Sequence, residues 1–155
     1  PDAQGRGGCG SRSWDLRDAG LSPEDSGYVN GQGTSTPLGD SAEVEATHHV
    51  FGDHARASAG GRLIMSSTKS VHGHTLGASG SVEMIACIHA VRDAIIAPTA
   101  NLQTPGTRDE SGNVKPFDMN LVPNEAAERR ISHAMNNTFG FGGHNVTLIV
   151  SRFEG

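Results

Sequence analysis

Residues that could carry acid–base or anion-binding chemistry are concentrated in three polar, glycine-rich loops of this sequence. The loops run over residues 30–40, 67–80 and 136–145. Two of them follow predicted strands, and the third joins two predicted strands. Ligands in α/β folds usually bind at loops that leave the strands. Because three such loops occur in one short chain, we expect them to contribute to one site.

His74 is the strongest single candidate for a catalytic group. It stands directly before an apolar helical segment, so a helix N-terminus can help to position it or its ligand. A neutral imidazole that donates a hydrogen bond is suited to stabilising a developing oxyanion or enolate. The alternative is a loop histidine that caps the helix, and the residues alone leave both open.

Lys69 and Glu83 form a candidate ion pair around the same loop. Lys69 lies five residues before His74, and Glu83 lies in the first turns of the following helix. Such a pair would fix the loop and set the electric field at the site. The alternative is an ordinary, partly exposed pair that contributes little, and this is the commoner case.

Two further features of the loops suggest ligand binding. Thr34, Ser35 and Thr36 offer hydroxyls beside two glycines, which could hold an amide-rich ligand arm or bond locally to the backbone of a turn. Phe141 has glycine on both sides, as in a gate over an apolar channel. The alternative for Phe141 is a buried anchor between two strands.

The eight histidines require that a metal site be considered. His48 and His49 are adjacent and point apart on a helix, and His72 and His74 come together only on a strand. The sequence has neither an HExxH motif nor a cysteine pair that would complete a zinc site. We therefore predict no metal and no cofactor.

Composition excludes several classes of protein. The 155 residues suit one domain, and a net charge of −5 offers no basic stripe for a nucleic-acid partner. No apolar run is long enough for a membrane span, and the first twenty residues lack the apolar stretch of a signal peptide. Cys9 and Cys87 form no paired pattern, so we expect free thiols in a reducing compartment.

Hydrophobic periodicity predicts an α/β order of elements. We expect a loop or disordered tail over residues 1–13 and the end of a helix over 14–19. A helix should begin at Gly39–Asp40, with Asp40 as N-cap and Glu43 completing a capping box, and end at Gly52. A second, almost wholly apolar helix should end near Asp93. Strands are predicted at 28–30, 62–66, 130–135 and 146–150, with an extended stretch at 98–102 and mostly loop over 103–128.

Together the three loops resemble the C-terminal half of the β-ketoacyl-(acyl-carrier-protein) synthases, the condensing enzymes of the thiolase fold. Residues 29–40 match the family motif Val-Asn-Ala-His-Gly-Thr-Ser-Thr-Pro-Leu-x-Asp, apart from positions 31 and 32. Residues 66–83 match Ser-Ser-Thr-Lys-Ser-x-x-Gly-His-x-Leu-Gly-Ala-x-Gly-x-Val-Glu throughout. Residues 137–145 match Asn-Ser-Phe-Gly-Phe-Gly-Gly-x-Asn with Thr138 for the serine, and 98–102 fit Pro-Thr-x-Asn-Leu.

The resemblance covers residues 18–152 and implies a fold. It implies the C-terminal half of a thiolase-like α/β fold, with one mixed sheet, helices on both faces and a buried central helix over 76–93. Residues 1–17 match poorly and read as a tail before a domain over 18–155. The Thr-Ser-Thr-Pro form is more similar to the type II fatty-acid synthase enzyme than to a polyketide synthase domain.

The resemblance also implies a mechanism and assigns residues to it. A cysteine carries the acyl chain, malonyl-acyl-carrier protein loses CO₂, and two histidines stabilise the resulting enolate before it attacks the acyl thioester. His74 matches the second histidine, Lys69 the family lysine and Glu83 the family glutamate. The substrate-binding positions and their glycine supports are Thr34, Thr36, Phe139, Phe141, Gly142 and Gly143, with Phe141 as the gate.

Two departures from the family pattern bear on activity. The nucleophilic cysteine belongs to the family's N-terminal half, and neither Cys9 nor Cys87 lies in its motif. Gln32 stands at the position of the first histidine, and an amide cannot change protonation near neutral pH. Loss of a positioned acid–base group costs roughly 10²–10⁴ in rate. We therefore expect the isolated chain to be inactive.

Two functions stay open from the sequence. One is a condensing acyltransferase of fatty-acid biosynthesis, or its polyketide counterpart; the other is a non-elongating relative that binds acyl chains or acyl-carrier protein. The resemblance implies acyl-carrier protein as partner, a homodimer and a cytoplasmic location, with mitochondrion or plastid as alternatives. It implies neither a nucleic-acid nor a membrane partner.

Overall fold

The computed structural model describes residues 6–108 and 111–155, except for the side chains of residues 6–9, 11 and 141. The helices in these ranges are α1 Arg6–Asp18, α2 Pro37–Phe51, α3 Lys69–His72 and α4 Ser79–Asp93. The strands are β1 Ser26–Asn30, β2 Ile64–Ser66, β3 Ile95–Ile96, β4 Gly106–Arg108, β5 Val114–Pro116, β6 Asn120–Leu121, β7 Ala127–Glu128, β8 His133–Phe139 and β9 Asn145–Ser151.

A five-stranded mixed sheet organises the chain, in the order β6-β2-β1-β8-β9. The first four strands are parallel, and β9 pairs antiparallel with β8. Two short antiparallel ribbons, β3–β7 and β4–β5, lie outside it. Parallel strands bring the carboxyl ends of β1, β2 and β8 to one edge, which is where the three polar loops begin.

Helices cover both faces of this sheet because side chains alternate along each strand. Val29, Met65 and Met135 pack in a core with residues of α1 and α2, while their neighbours Tyr28, Ile64 and Ala134 pack in a second core with α4. The predicted α/β class, with a mixed sheet and helices on both faces, is confirmed.

Helix α4 is buried on one side only in this chain. Cys87, Ala90 and Val91 are buried against the sheet, whereas Ile85 is 56% exposed and Ile88 is 42% exposed. Val146 and Leu148 on β9 are also exposed. The central helix predicted to be buried nearly all round therefore lacks a covering layer within the described residues.

The prediction of a loop or tail over residues 1–13 is wrong from Arg6 onward, because α1 begins there. Glycine and serine disfavour a helix locally, but tertiary contacts hold this one. Leu16 is 3% exposed, and the Arg12 guanidinium donates to the Glu43 carboxylate at 3.0 Å and to Thr47 Oγ1 at 2.6 Å. Residues 1–5 lie outside the described part.

The predicted start of α2 is also wrong. The helix begins at Pro37 after Thr36, and Asp40 lies in its first turn. Proline is favoured at the first helical position because its missing N–H would have no partner there. Glu43, predicted to cap at Asp40, instead binds two earlier backbone amides, as described below. The segment predicted as mostly loop over 103–128 contains the short strands β4 to β7.

Candidate functional site

The three loops meet around a cleft of about 1090 Å³ at the carboxyl edge of the sheet. Apolar side chains of α4 and β9 form one wall, among them the partly buried Met84 and the exposed Ile85, Val146 and Leu148. The cleft is therefore polar at the loops and apolar along the helix. Predicted site residues that line it are Gln32, Thr34, Thr36, His74, Phe139, Gly142 and Gly143.

Hydrogen bonds between the loops fix their relative positions. The Asn30 amide donates to Thr68 Oγ1 at 2.9 Å, and the Thr68 N–H donates back to Asn30 Oδ1 at 3.3 Å. The Asn136 amide donates to the carbonyl of Gly80 at 2.8 Å. The first pair joins the loops after β1 and β2, and the second ties β8 to the start of α4.

His74 lies in the cleft with one ring nitrogen already engaged. Its Nδ1 is 3.2 Å from the backbone N of Leu76 and 3.0 Å from Ser79 Oγ. A backbone N–H can only donate, so Nδ1 accepts and carries no proton. In the neutral ring the proton then sits on Nε2, which is the donor that His74 can offer to a ligand.

Lys69 and Glu83 form a buried ion pair beneath this loop and do not line the cleft. The Lys69 side chain is 4% exposed and Glu83 is fully buried, with Lys69 Nζ bonded to Glu83 Oε1. Burial raises the pKa of Glu83, and the contact with Lys69 opposes that rise. The pair links α3, where the His74 loop begins, to α4, where it ends.

Gln32 is clasped to the backbone of Phe139. Its Nε2 donates to the Phe139 carbonyl at 3.3 Å, and its Oε1 accepts the Phe139 N–H at 3.2 Å. Both ends of the side-chain amide are used in this way, which leaves one N–H for a ligand. Gln32 therefore connects the loop after β1 to the end of β8.

Arg12 and Glu43 support the loop that carries Gln32, a role that the sequence did not reveal. The Glu43 carboxylate accepts the backbone N–H groups of Gln32 and Gly33, each at 2.9 Å, and is paired with Arg12 at 3.0 Å. The Arg12 guanidinium also lies 5.9 Å from the centre of the Phe139 ring. Only the fold brings these residues together, since Arg12 lies in the segment predicted as loop.

The threonines predicted to bind substrate stand at the polar end of the cleft. Thr34 is partly buried and Thr36 is exposed, with their hydroxyl oxygens 3.4 Å apart. Asp40 lines the same region, and its burial, with a smaller contribution from Glu43, raises the pKa of its carboxyl to about 6. Hydroxyls and a carboxyl are thus available to a polar ligand arm.

The glycine-rich loop after β8 makes a tight turn at the cleft. Gly142 and Gly143 in this turn have φ of 81° and 83°, a region that glycine adopts without strain. The side chain of Phe141, the predicted gate, lies outside the described residues. Phe139 borders the cleft.

The described cysteine lies in the core and does not line the cleft. Cys87 is fully buried, its thiol pKa is raised to about 12 by burial, and its neighbours are core residues of the α4 face. The side chain of Cys9 lies outside the described part.

Residues 6–108 and 111–155 contain no cluster of three potential metal ligands. None of the described helices is long and apolar enough to span a membrane.

Comparison with known proteins shows which family the sequence matches. Residues 4–103 match the model for the β-ketoacyl synthase C-terminal domain. The chain is 46% identical over 152 residues to 3-oxoacyl-[acyl-carrier-protein] synthase 2 of Coxiella burnetii, covering 98% of the chain and 33% of the relative. It is 41% identical over 154 residues to the enzyme of the same name from Staphylococcus aureus, covering 99% of the chain and 34% of that enzyme. The chain thus spans about a third of the length of these relatives.

Solved structures agree with the sequence relatives. A β-ketoacyl synthase from Burkholderia phymatum is 35% identical with a TM-score of 0.70, over 90% of this chain and 30% of its own. A type II PKS acyl-carrier protein in complex with its ketosynthase gives 27% identity and a TM-score of 0.79, over 97% of this chain and 34% of the matched one. The match covers about a third of each structure.

Proposed function

The chain belongs to the β-ketoacyl synthase family as its C-terminal domain, and we propose that it supplies the enolate-stabilising half of a 3-oxoacyl-acyl-carrier-protein synthase site. The observation that carries this proposal is His74, held in the cleft with Nδ1 already accepting a backbone N–H. The Nε2–H that remains is suited to bind the oxygen of a thioester as it becomes an enolate.

The proposed reaction is a decarboxylative condensation. The carbon–carboxylate bond of a malonyl thioester breaks, CO₂ leaves, and the bonding pair moves onto the thioester oxygen as an enolate held by His74. The enolate carbon then attacks an acyl thioester carbonyl, the new carbon–carbon bond forms, and the thiolate of that thioester leaves. The cysteine that holds the acyl group is expected in the part of the relatives that this chain does not span.

We assign to the other predicted residues the roles that the resemblance implies. Lys69 and Glu83 act as a buried pair that positions the His74 loop. Thr34 and Thr36 bind the amide-rich pantetheine arm of the acyl-carrier protein at the polar end of the cleft. The acyl chain lies along the apolar wall, and Phe141, with Phe139 and the paired glycines, controls access to it.

Partners and location follow from the resemblance. We propose acyl-carrier protein as the donor of both thioesters, a homodimer as the assembled form, and a cytoplasmic place in fatty-acid biosynthesis. A net charge of −5 gives no support to a nucleic-acid partner.

A second candidate function is a non-elongating synthase, which is favoured by one observation. Gln32 uses both ends of its amide on the backbone of Phe139, so it offers a ligand one N–H but no acid–base group of the kind that a histidine supplies. With His74 as the one described imidazole of the cleft, malonyl decarboxylation would persist while carbon–carbon bond formation is slow. Such a protein would hold or pass on acyl chains without lengthening them.

The proposed function predicts that the isolated chain is inactive and that a complemented chain is active. We define the fusion as this chain joined to the first two thirds of the Coxiella burnetii relative, replacing the matching last third. The fusion should release CO₂ from a malonyl thioester, whereas the isolated chain should release none and should form no ketoacyl product. CO₂ release is followed with labelled malonyl-pantetheine.

The matched control is the fusion without the relative's nucleophilic cysteine, which should still fold but not condense. Ketoacyl product from the pure isolated chain would contradict the proposal. So would a folded fusion, with a cooperative melting transition, that releases no CO₂ at all.

A further inference from the structure

Ser79 is a buried hydroxyl that contacts the imidazole of His74. Its side chain is fully buried, in contrast to His74 and Thr75, which are exposed in this chain. It occupies one of the positions that the family motif leaves open, so nothing in the resemblance gives it a role. Its place at the first residue of α4 puts it directly beneath the His74 turn.

The Ser79 hydroxyl uses its one donor position and both of its acceptor positions in hydrogen bonds. Ser79 Oγ lies 3.0 Å from the Thr75 backbone N, 3.0 Å from His74 Nδ1 and 3.3 Å from Thr75 Oγ1. The Thr75 N–H can only donate, so Ser79 accepts it and keeps its own proton for another partner. The His74 nitrogen is the nearer acceptor, and the Thr75 hydroxyl can donate to the second lone pair of Ser79.

The backbone of the turn supplies the second donor to the same nitrogen. Leu76 has φ of 51°, an uncommon value for a residue with a side chain, and its N–H reaches His74 Nδ1 at 3.2 Å. Ser79 bonds to the residue before Leu76, so it braces the strained turn. His74 Nδ1 therefore accepts one hydrogen bond from the Leu76 N–H and one from the Ser79 hydroxyl.

We propose that Ser79 is a positioning residue that holds the His74 ring in one orientation, with Nδ1 accepting and Nε2 carrying the proton. Only the predicted effect on catalysis rests on the proposed function; the predicted orientation and tautomer of the ring do not. Alanine at this position would remove one of the two donors to Nδ1 and leave the Thr75 N–H without its acceptor. The ring could then turn, and the tautomer with the proton on Nδ1 would become populated.

The direct test is the tautomer of His74 in the 155-residue chain, read from its ¹⁵N imidazole signals with ¹⁵N-histidine labelling. The unmodified chain should show Nδ1 as an acceptor nitrogen and the proton on Nε2. Ser79→Ala should raise the share of the Nδ1–H form, and Ser79→Thr, which keeps the hydroxyl, should restore the original ratio. Ser151→Ala is the matched control, since it removes a serine contact at 2.8 Å from the partly buried His133 and should leave His74 unchanged.

The kinetic test uses the fusion. Losing one hydrogen bond of ordinary strength should lower kcat for malonyl decarboxylation by about three- to tenfold. KM should stay unchanged because Thr34 and Thr36 are untouched, and Ser79→Thr should recover the rate. A purely structural role would instead lower the amount of folded protein without moving the tautomer ratio.

The outcomes separate this inference from the proposed function. If the tautomer shifts in Ser79→Ala but the fusion is inactive, the positioning role stands and the proposed reaction is wrong. If His74 already carries its proton on Nδ1 in the unmodified chain, the inference is overturned, even should Ser79→Ala fail to fold. An unchanged tautomer ratio in a folded Ser79→Ala also overturns it.

Discussion

Replacing His74 by alanine in the fusion should lower malonyl-thioester decarboxylation by about 10²- to 10⁴-fold, the usual contribution of a positioned acid–base group. The structure explains why a single residue should have so large an effect. Gln32 cannot titrate and its amide is engaged with Phe139, so no other side chain of the described cleft can offer an imidazole N–H to the enolate oxygen. The rate of CO₂ release at saturating substrate measures the effect.

His133→Ala is the control for this prediction. His133 lies at the start of β8, bonded to Ser151 and absent from the cleft lining, so its loss should leave the rate unchanged. Equal rates for His74→Ala and the unmodified fusion would show that enolate stabilisation comes from elsewhere. A fall caused by misfolding would be recognised because the melting transition would change along with the rate.

Replacing Glu83 by alanine should lower the free energy of unfolding of the chain by about 3–5 kcal/mol, the typical cost of leaving one partner of a buried ion pair alone. Lys69 would remain with its side chain 4% exposed and no carboxylate beside it. The double variant Lys69→Met with Glu83→Leu should recover most of the loss, because a buried pair replaced by apolar groups of similar size is often tolerated. Urea denaturation with a linear extrapolation measures each value.

Asp93→Ala is the matched comparison, since Asp93 pairs with Arg92 on the surface of the same helix. Exposed pairs of this kind contribute little, so its stability should be nearly that of the unmodified chain. If Glu83→Ala were no more destabilising than Asp93→Ala, the Lys69–Glu83 pair would not be the support of the His74 loop that we describe.

The gathering of the site residues was predictable from the sequence because it follows from parallel strands. The loops after β1, β2 and β8 begin at one edge of the sheet, so Gln32, His74 and the glycines after Phe139 had to meet. The alternation that puts Tyr28 and Val29 in different cores could be predicted in the same way. Both predictions rest on motifs and strand periodicity, which are read from residues close together in the sequence.

The residues that hold the site were not predictable because their partners lie far along the chain. Arg12 and Glu43 are 31 positions apart in the sequence, and Gln32 and Phe139 are 107 positions apart. For α1, local helix propensity led to the wrong prediction, because its glycines favour a loop. Ser79 was missed for a different reason: it is close in sequence to His74, but the contact depends on a left-handed residue at Leu76.

The most direct test of the account compares the fusion carrying Gln32 with the same fusion carrying Gln32→His, with malonyl decarboxylation and acyl condensation assayed separately. We predict that the Gln32 form decarboxylates through His74 but condenses poorly, and that Gln32→His raises condensation by about 10²-fold, the low end of the acid–base contribution. Condensation at similar rates in both forms would contradict the effect that we assign to Gln32, because Gln32 would then be a tolerated substitution in an ordinary synthase site.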